Sequence, residues 1–196
     1  MDRLTALCLL REVLRYPDAD LFDLVASGEI EGAVAKAGEL AGGDAPPQPP
    51  AWTRKPRSLE EWQALHLSTF EVGVTGPAIP VQESFYAEAS SASQVIRENF
   101  LFYRHFGYPL ADDPSPHDSL VKQLGFLAYL ESLLGSPETS TDERESLERA
   151  RDDFLDRHLR PWLPQALDRA RRKGAEAFYV GALEALERLL RPAPET

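Results

Sequence analysis

The sequence predicts an all-α fold, and three observations carry that expectation. Apolar residues recur at helical spacing through most of the chain. Helix-start signals of the form Ser-x-x-Glu stand at Ser58/Glu61 and Ser140/Glu143. No stretch alternates apolar and polar residues between turn signals, and no Asn-Gly hairpin occurs, so strands are not expected. About seven to nine helices fit into the 196 residues. That length is expected to form one domain, residues 1–196.

In chain order, Leu4, Leu7, Cys8 and Leu14 share a face of a first amphipathic helix over residues 2–16. It stops before Pro17, because a residue preceding proline avoids the α region. Cys8 is expected to be a buried, inert thiol on that face. Shorter helices follow near 18–26 and 29–41. The stretch "GGDAPPQPPAWTRKPRS", 42–58, is too rich in Pro and Gly for regular structure and reads as a long surface loop. "SLEEWQALHLSTF" then starts a helix with Trp62, Leu65 and Phe70 on its apolar face, and His66 beside them as a structural histidine. A second irregular stretch, 71–82, precedes helical character from Glu83 through Phe106, with Gly107 as a left-handed cap. After 107–115 the run "PSPHDSLVKQLGFLAYL" begins another helix. Ser115 is its expected N-cap, Pro116 its first residue, and Asp118 the carboxylate at the third position. The C-terminal third supplies two or three more helices, with Leu147, Phe154, Leu155, Trp162, Phe178, Leu183, Leu186 and Leu190 facing inward.

Composition excludes several functions. With 32 acidic and 21 basic residues the net charge is -11, which is wrong for gripping a phosphate backbone, so no nucleic-acid partner is expected. Cys8 is the sole cysteine, which forbids an intrachain disulfide and any cysteine-rich zinc site. It also suits a reducing cytoplasm. The N-terminal apolar positions are interrupted by Arg11, Glu12 and Arg15, unlike a signal peptide. No apolar run reaches membrane-spanning length, so no stable membrane insertion is expected.

Motif chemistry is sparse. There is no P-loop, no GxGxxG and no HExxH. His66, His105, His117 and His158 are scattered without metal-site pairing, and no metal ligand set is expected. The cluster Ser115, His117, Asp118 and Ser119 suggests a Ser-His-Asp relay. A relay needs side chains that converge, whereas sequence neighbours diverge, so capping is preferred to catalysis and no catalytic residue is assigned. A small helical hydrolase using His117, Asp118 and Ser119 stays as an alternative, as does a generic helical adaptor. The aromatics Phe85, Tyr86, Phe100, Phe102, Tyr103, Phe106 and Tyr108 crowd around the irregular stretches, where a peptide groove is the functional counterpart of core packing.

Three stretches resemble the TorD/DmsD/NarJ-like chaperones, maturation factors of molybdenum oxidoreductases. "PVQESFY" is similar to the family's Pro–Glu–Ser/Thr–x–Tyr segment. "DSLVKQLGFLAYL" is similar to its "DHLxxELxFLxxL" helix. "FLDRHLRPWLPQALDRARRKGAEAFYVGALEALERLL" is similar to its C-terminal region. Two departures are Ser119, where relatives often carry His, and Gln123 in place of a Glu. These variants look closer to chaperones serving nitrate, selenate, chlorate or dimethylsulfide enzymes. The resemblance implies binding rather than turnover, with no cofactor of the chaperone's own. The implied partner is the catalytic subunit of a molybdenum oxidoreductase, held through its N-terminal peptide, often a twin-arginine signal, until the molybdopterin cofactor is inserted. The implied location is the cytoplasm, as monomer or dimer. Motif positions place client contacts at Glu83, Tyr86, His117, Asp118, Ser119 and Gln123. Phe126 and Tyr129 are expected in the groove or the core.

Overall fold

The computed structural model describes residues 1–40, 50–73, 76–110 and 115–192. Parts of the three expected loops, at 42–49, 74–75 and 111–114, lie outside the described residues. Among the described residues there are nine α-helices, one 3-10 turn, and no strand. The all-α expectation holds. The chain forms two compact units: residues 1–80 with 163–196, and residues 81–162.

The first unit contains α1 (Arg3–Leu14), α2 (Ala19–Ser27), α3 (Glu29–Glu39), α4 (Leu59–Phe70), α8 (Leu163–Arg172) and α9 (Ala177–Leu189). Local chemistry sets the boundaries. Asp2 accepts a bond from Thr5 N at 2.7 Å, and Asp18 accepts one from Leu21 N at 3.0 Å, so two carboxylates cap α1 and α2. Gly28 turns between α2 and α3 at φ 80°, a left-handed conformation that suits glycine. α1 buries Ala6, Leu7, Leu10, Val13 and Leu14. Cys8 is exposed, contrary to expectation. At about 100° per residue the buried stripe centres on Leu10, and Cys8 falls on the far side of the helix.

α3 packs against α1 and α9, and α8 against α9. Small residues on α3, Ala35, Ala37 and Gly38, are buried there. Trp62 on α4 donates from Nε1 to Tyr179 OH on α9 at 2.8 Å, and both side chains are fully buried. Burial pushes the Tyr179 hydroxyl up, so it remains a neutral partner. His66 lies buried against Tyr16, Phe70 and Tyr179, with Nε2 3.2 Å from Leu14 O. It is structural, as expected. The strap before α4 is no free loop. Trp52 stacks on Phe178 at 4.0 Å between centroids and donates to Glu31 Oε1 at 3.0 Å. Pro50 sits so close to α9 that a Cβ at position 181 would lie 2.4 Å from its own. Gly181 is therefore required by close approach.

The second unit contains the 3-10 turn Glu83–Phe85, α5 (Ala92–His105), α6 (Leu120–Gly135) and α7 (Thr141–His158). α6 is buried around nearly its whole circumference, from Leu120, Leu124 and Phe126 to Leu130 and Leu134. It is the core helix of this unit, packed against α7. Phe126 is core, while Tyr129 is half-buried and donates to Phe106 O at 3.1 Å. Gly107 does end α5, at φ 69°.

Two expected helix starts differ. α6 begins four residues later than the Ser115/Pro116/Asp118 cap implies, with Ser119 as N-cap. Asp118 cannot serve as a capping carboxylate, because its side chain is committed to another segment, Ser84 N, at 2.9 Å. Helical character from Glu83 is not continuous either: the 3-10 turn and residues 86–91 separate Glu83 from α5. Ser140 and Glu143 form the full reciprocal box at α7. At α4, Ser58 caps Glu61 N, but the Glu61 carboxylate takes Arg57 N instead of Ser58 N.

Candidate functional site

The segment Val81–Tyr86 runs alongside the turn that starts α6. Leu120 N donates to Val81 O at 2.8 Å, Glu83 N to Asp118 O at 3.0 Å, and Gln82 pairs with Ser119 in an isolated antiparallel bridge. The Asp118 carboxylate, 1% exposed, accepts from Ser84 N. This short ladder satisfies backbone groups that would otherwise be buried unpaired. It also aims the Glu83 side chain inward.

Glu83 is 7% exposed and sits among Asn99 of α5, Gln123 of α6 and His158 of α7. Its Oε2 accepts from Gln123 Nε2 at 2.7 Å and Asn99 Nδ2 at 2.8 Å, and Oε1 lies 3.1 Å from His158 Nδ1. Asn99 Nδ2 gives its other hydrogen to Val95 O at 3.0 Å. Both Asn99 hydrogens are thus used, so its 3.1 Å approach to His158 Nδ1 is not a hydrogen bond, and the imidazole donates to Glu83. Asn99 Oδ1 accepts from Gln123 Nε2 at 3.1 Å and lies 3.2 Å from the Tyr103 hydroxyl, whose one hydrogen goes to His117 O at 2.7 Å. One carboxyl group therefore collects donors from three helices, an arrangement suited to an acceptor-only carboxylate.

Two atoms of this network have no hydrogen-bond partner among the described residues: Gln123 Oε1 and His158 Nε2. On the other side of His158, its backbone O accepts from Trp162 Nε1 at 2.5 Å, and the Trp162 ring stacks on Tyr86 at 5.3 Å. Phe85, next to Tyr86, is 52% exposed. The segment thus presents one aromatic to solvent and seats the next on a tryptophan.

The expected contact residues separate into two groups. Glu83, Asp118, Ser119 and Gln123 come together and are buried, so these four expected contacts do not face solvent. Tyr86 and His117 are half-buried. The His117 ring lies 5.0 Å from Phe100, and Asp118 Oδ2 accepts from Ser84 N. Ser119 Oγ is the acceptor for Lys122 N. The three members of the alternative relay thus have separate structural tasks. Sequence reasoning passed over Asn99 and Lys122, and read Tyr103 only as one of the crowded aromatics and His158 only as a scattered histidine; all four are buried. Asn99 and Tyr103 do fall on the stripe of Val95, Phe102 and Phe106, and a polar residue inside an otherwise apolar helical stripe is the signal that could have found Asn99. No group of three or more His, Cys, Asp or Glu could hold a metal ion among the described residues. No helix there is long and apolar enough to cross a membrane.

Residues 29–168 match the family described as nitrate reductase delta subunit. Three characterised relatives are similar. The perchlorate reductase assembly chaperone protein of Dechloromonas aromatica is 31% identical over 134 residues, 68% of this chain and 60% of the relative. The selenate reductase assembly chaperone protein of Thauera selenatis is 30% identical over 122 residues, 62% of each chain. The chlorate reductase assembly chaperone protein of Ideonella dechloratans is 26% identical over 171 residues, 86% of this chain and 76% of the relative. The chain spans about 60% of the length of the first two. No solved structure matches it. The family match covers well over half of the chain, including the 81–86 segment, α5, α6 and α7, and with it the chain belongs to the nitrate reductase delta subunit family.

Proposed function

We propose that this protein is an assembly chaperone for the catalytic subunit of a molybdenum oxidoreductase, acting in the cytoplasm before export or membrane docking. The observation that carries this reading is membership of a family whose three similar relatives are assembly chaperones of perchlorate, selenate and chlorate reductases. The client is held by its N-terminal segment, an intact or vestigial twin-arginine signal, until cofactor insertion is complete. The net charge of -11 favours an arginine-bearing segment and steers its approach. Residues 1–196 act as one chaperone domain, a monomer or dimer, with no nucleic acid or inserted membrane segment involved.

Within the site, Tyr86 and His117 touch the client. Glu83, Asp118, Ser119 and Gln123 serve it from beneath, by fixing the segment that presents Phe85 and Tyr86. Isothermal titration with a peptide copying the N-terminus of the host's reductase catalytic subunit tests this. Micromolar binding that weakens with salt and falls at least about tenfold in Tyr86→Ala is expected. Absence of binding, together with normal molybdenum content of the reductase in a host lacking the chain, would overturn it.

A further inference from the structure

α5 has two faces of opposite chemistry. At about 100° per residue, Arg97, Leu101 and Arg104 lie within about 60° of one another, on the side opposite Asn99 and Tyr103. All three are exposed, Leu101 at 46%, and exposed Ile96 flanks the stripe. The stripe borders a concavity of about 540 Å³ lined by Leu101, Phe102, Arg104, His105 and Phe106.

Three exposed arginines of this unit, Arg97, Arg104 and Arg149, meet no carboxylate among the described residues, and two of them share one face of α5. In the same unit, Arg144 donates to Leu134 O, and Arg151 pairs with Glu131 and Asp152. Arg157 pairs with Glu98 and Asp153, and Arg160 with Asp156. Among the described residues neither Arg97 nor Arg104 meets a carboxylate; Arg104 only covers the Phe100 ring at 5.6 Å. Glu98, adjacent to Arg97, is already bound by Gln94 and Arg157. A chain of net charge -11 has carboxylates to spare, yet among the described residues none meets these two cations, which stand about two turns apart around an exposed leucine. That spacing matches one face of a partner helix.

We propose that the outer face of α5 docks an acidic amphipathic helix of a partner protein, two of whose carboxylates, about two turns apart, meet Arg97 and Arg104 while an apolar side chain between them covers Leu101 and enters the adjoining concavity. This partner is opposite in charge to the arginine-bearing client segment proposed above, and its site uses none of Glu83, Tyr86 or Asp118. The arginines set register and orientation, and the leucine and concavity supply apolar burial.

The test uses the full chain and a fluorescein-labelled, side-chain-stapled helical peptide carrying Glu at positions matching Arg97 and Arg104 with Leu between. A control peptide has the same composition with the two Glu moved by half a turn. Fluorescence anisotropy is expected to show saturable binding of the first peptide, at least about tenfold tighter than the control. R97E/R104E should abolish it, and Leu101→Ser should weaken it, both with unchanged thermal midpoints because the three residues are exposed. R97E/R104E should also leave binding of the reductase N-terminal peptide intact. Equal binding of both peptides, full displacement by millimolar inorganic phosphate, or unaltered binding by R97E/R104E overturns the proposal. So does concentration-dependent dimerisation that R97E/R104E removes while neither peptide binds, which would assign the face to a second copy of this chain.

Discussion

The two units solve one problem in opposite ways. Each must fix an irregular, proline-flanked segment onto a set of helices. In the first, residues 50–56 are seated by apolar contact, Trp52 flat on Phe178 and Pro50 pressed against Gly181, with Trp52 Nε1 and Lys55 Nζ adding bonds to Glu31 at the edge. In the second, residues 81–86 are held by polar groups: Glu83 gathers Asn99, Gln123 and His158, and Asp118 holds Ser84 N. The stack of Trp52 on Phe178 tolerates in-plane sliding, whereas the Pro50–Gly181 approach admits no added carbon. Polar anchoring is exacting, because each donor has one acceptor, and losing it leaves a buried group unpaired. The segment fixed by the exacting method presents Phe85 and Tyr86, the aromatics proposed above to face the client.

The largest effect expected from breaking this contrast is at Glu83. Glu83→Ala leaves Asn99, Gln123 and His158 buried without their shared acceptor, at a cost of about 3–5 kcal/mol in urea unfolding. Glu83→Gln keeps one oxygen acceptor and should cost only about 1–2 kcal/mol. Hydrogen exchange should rise over 81–86 and 118–123 and stay unchanged over 50–58. A loss spread evenly over both segments would end the claim that the two anchors are independent devices.

Trp52→Ala is the counterpart. Removing a half-buried indole that stacks on Phe178 should cost about 2–3 kcal/mol, with faster exchange confined to 50–58 and the start of α9. Trp52→Phe should recover the stacking but not the Nε1 bond to Glu31, leaving a cost of about 0.5–1 kcal/mol. No conservative exchange is expected to do as well at Glu83, and that asymmetry is the measurable content of the comparison.

How far the sequence could show this differs between the two anchors. Helical periodicity placed the apolar residues well: Trp62, Phe70, Leu147, Phe154, Trp162, Phe178 and Leu186 are all buried. Apolar stripes repeat along the chain, so a local reading finds them. The polar anchor is assembled from positions 83, 99, 123 and 158, and each alone reads as an exposed residue. Only the resemblance pointed to Glu83, Asp118 and Gln123, and it could not say that they are buried. Asn99 and His158 carry no local mark beyond a place on an apolar stripe. The cap at Ser115 failed for a related reason. Ser-Pro-x-Asp is a good local start signal, but Asp118 has a long-range partner in Ser84 N, and the first available cap becomes Ser119. Cys8 went astray because a stripe drawn from Leu4 and Leu7 differs by one residue from the buried one.

Acid should strain the first unit through His66. Burial lowers its affinity for a proton, with the Leu14 carbonyl and Glu71 opposing only in part. The folded pKa lies below the unfolded value of about 6.5, so the unfolded chain binds more protons in the window between them. Stability from this group is present above about pH 6.5 and is lost as pH falls below it, by at most about 1.4 kcal/mol per pH unit. The proton would go to Nδ1, which has no hydrogen-bond partner and faces a ring cage. His66→Phe should flatten the stability profile between pH 5.5 and 7, which urea titrations at each pH can check. Persistence of the slope in that variant would place the sensitive group elsewhere.

The smallest effect contrasts the helix caps of the two units. Ser140 and Glu143 satisfy each other's backbone at α7, and the Ser140 hydroxyl and backbone N–H hold the Glu143 carboxyl below its ordinary range. At α4 the Ser58 hydroxyl accepts from Glu61 N, but the return bond goes to Arg57 N. Alanine at either serine removes one acceptor, worth about 1 kcal/mol. At Ser140 the change also strips a partner from Glu143, so the reciprocal bond should loosen as well. At Ser58 the Glu61 bond to Arg57 N does not depend on the serine and should survive. Ser140→Ala should therefore destabilise more than Ser58→Ala, by a few tenths of a kcal/mol in matched urea curves. Equal losses would mean that the return bond contributes nothing at these exposed helix starts.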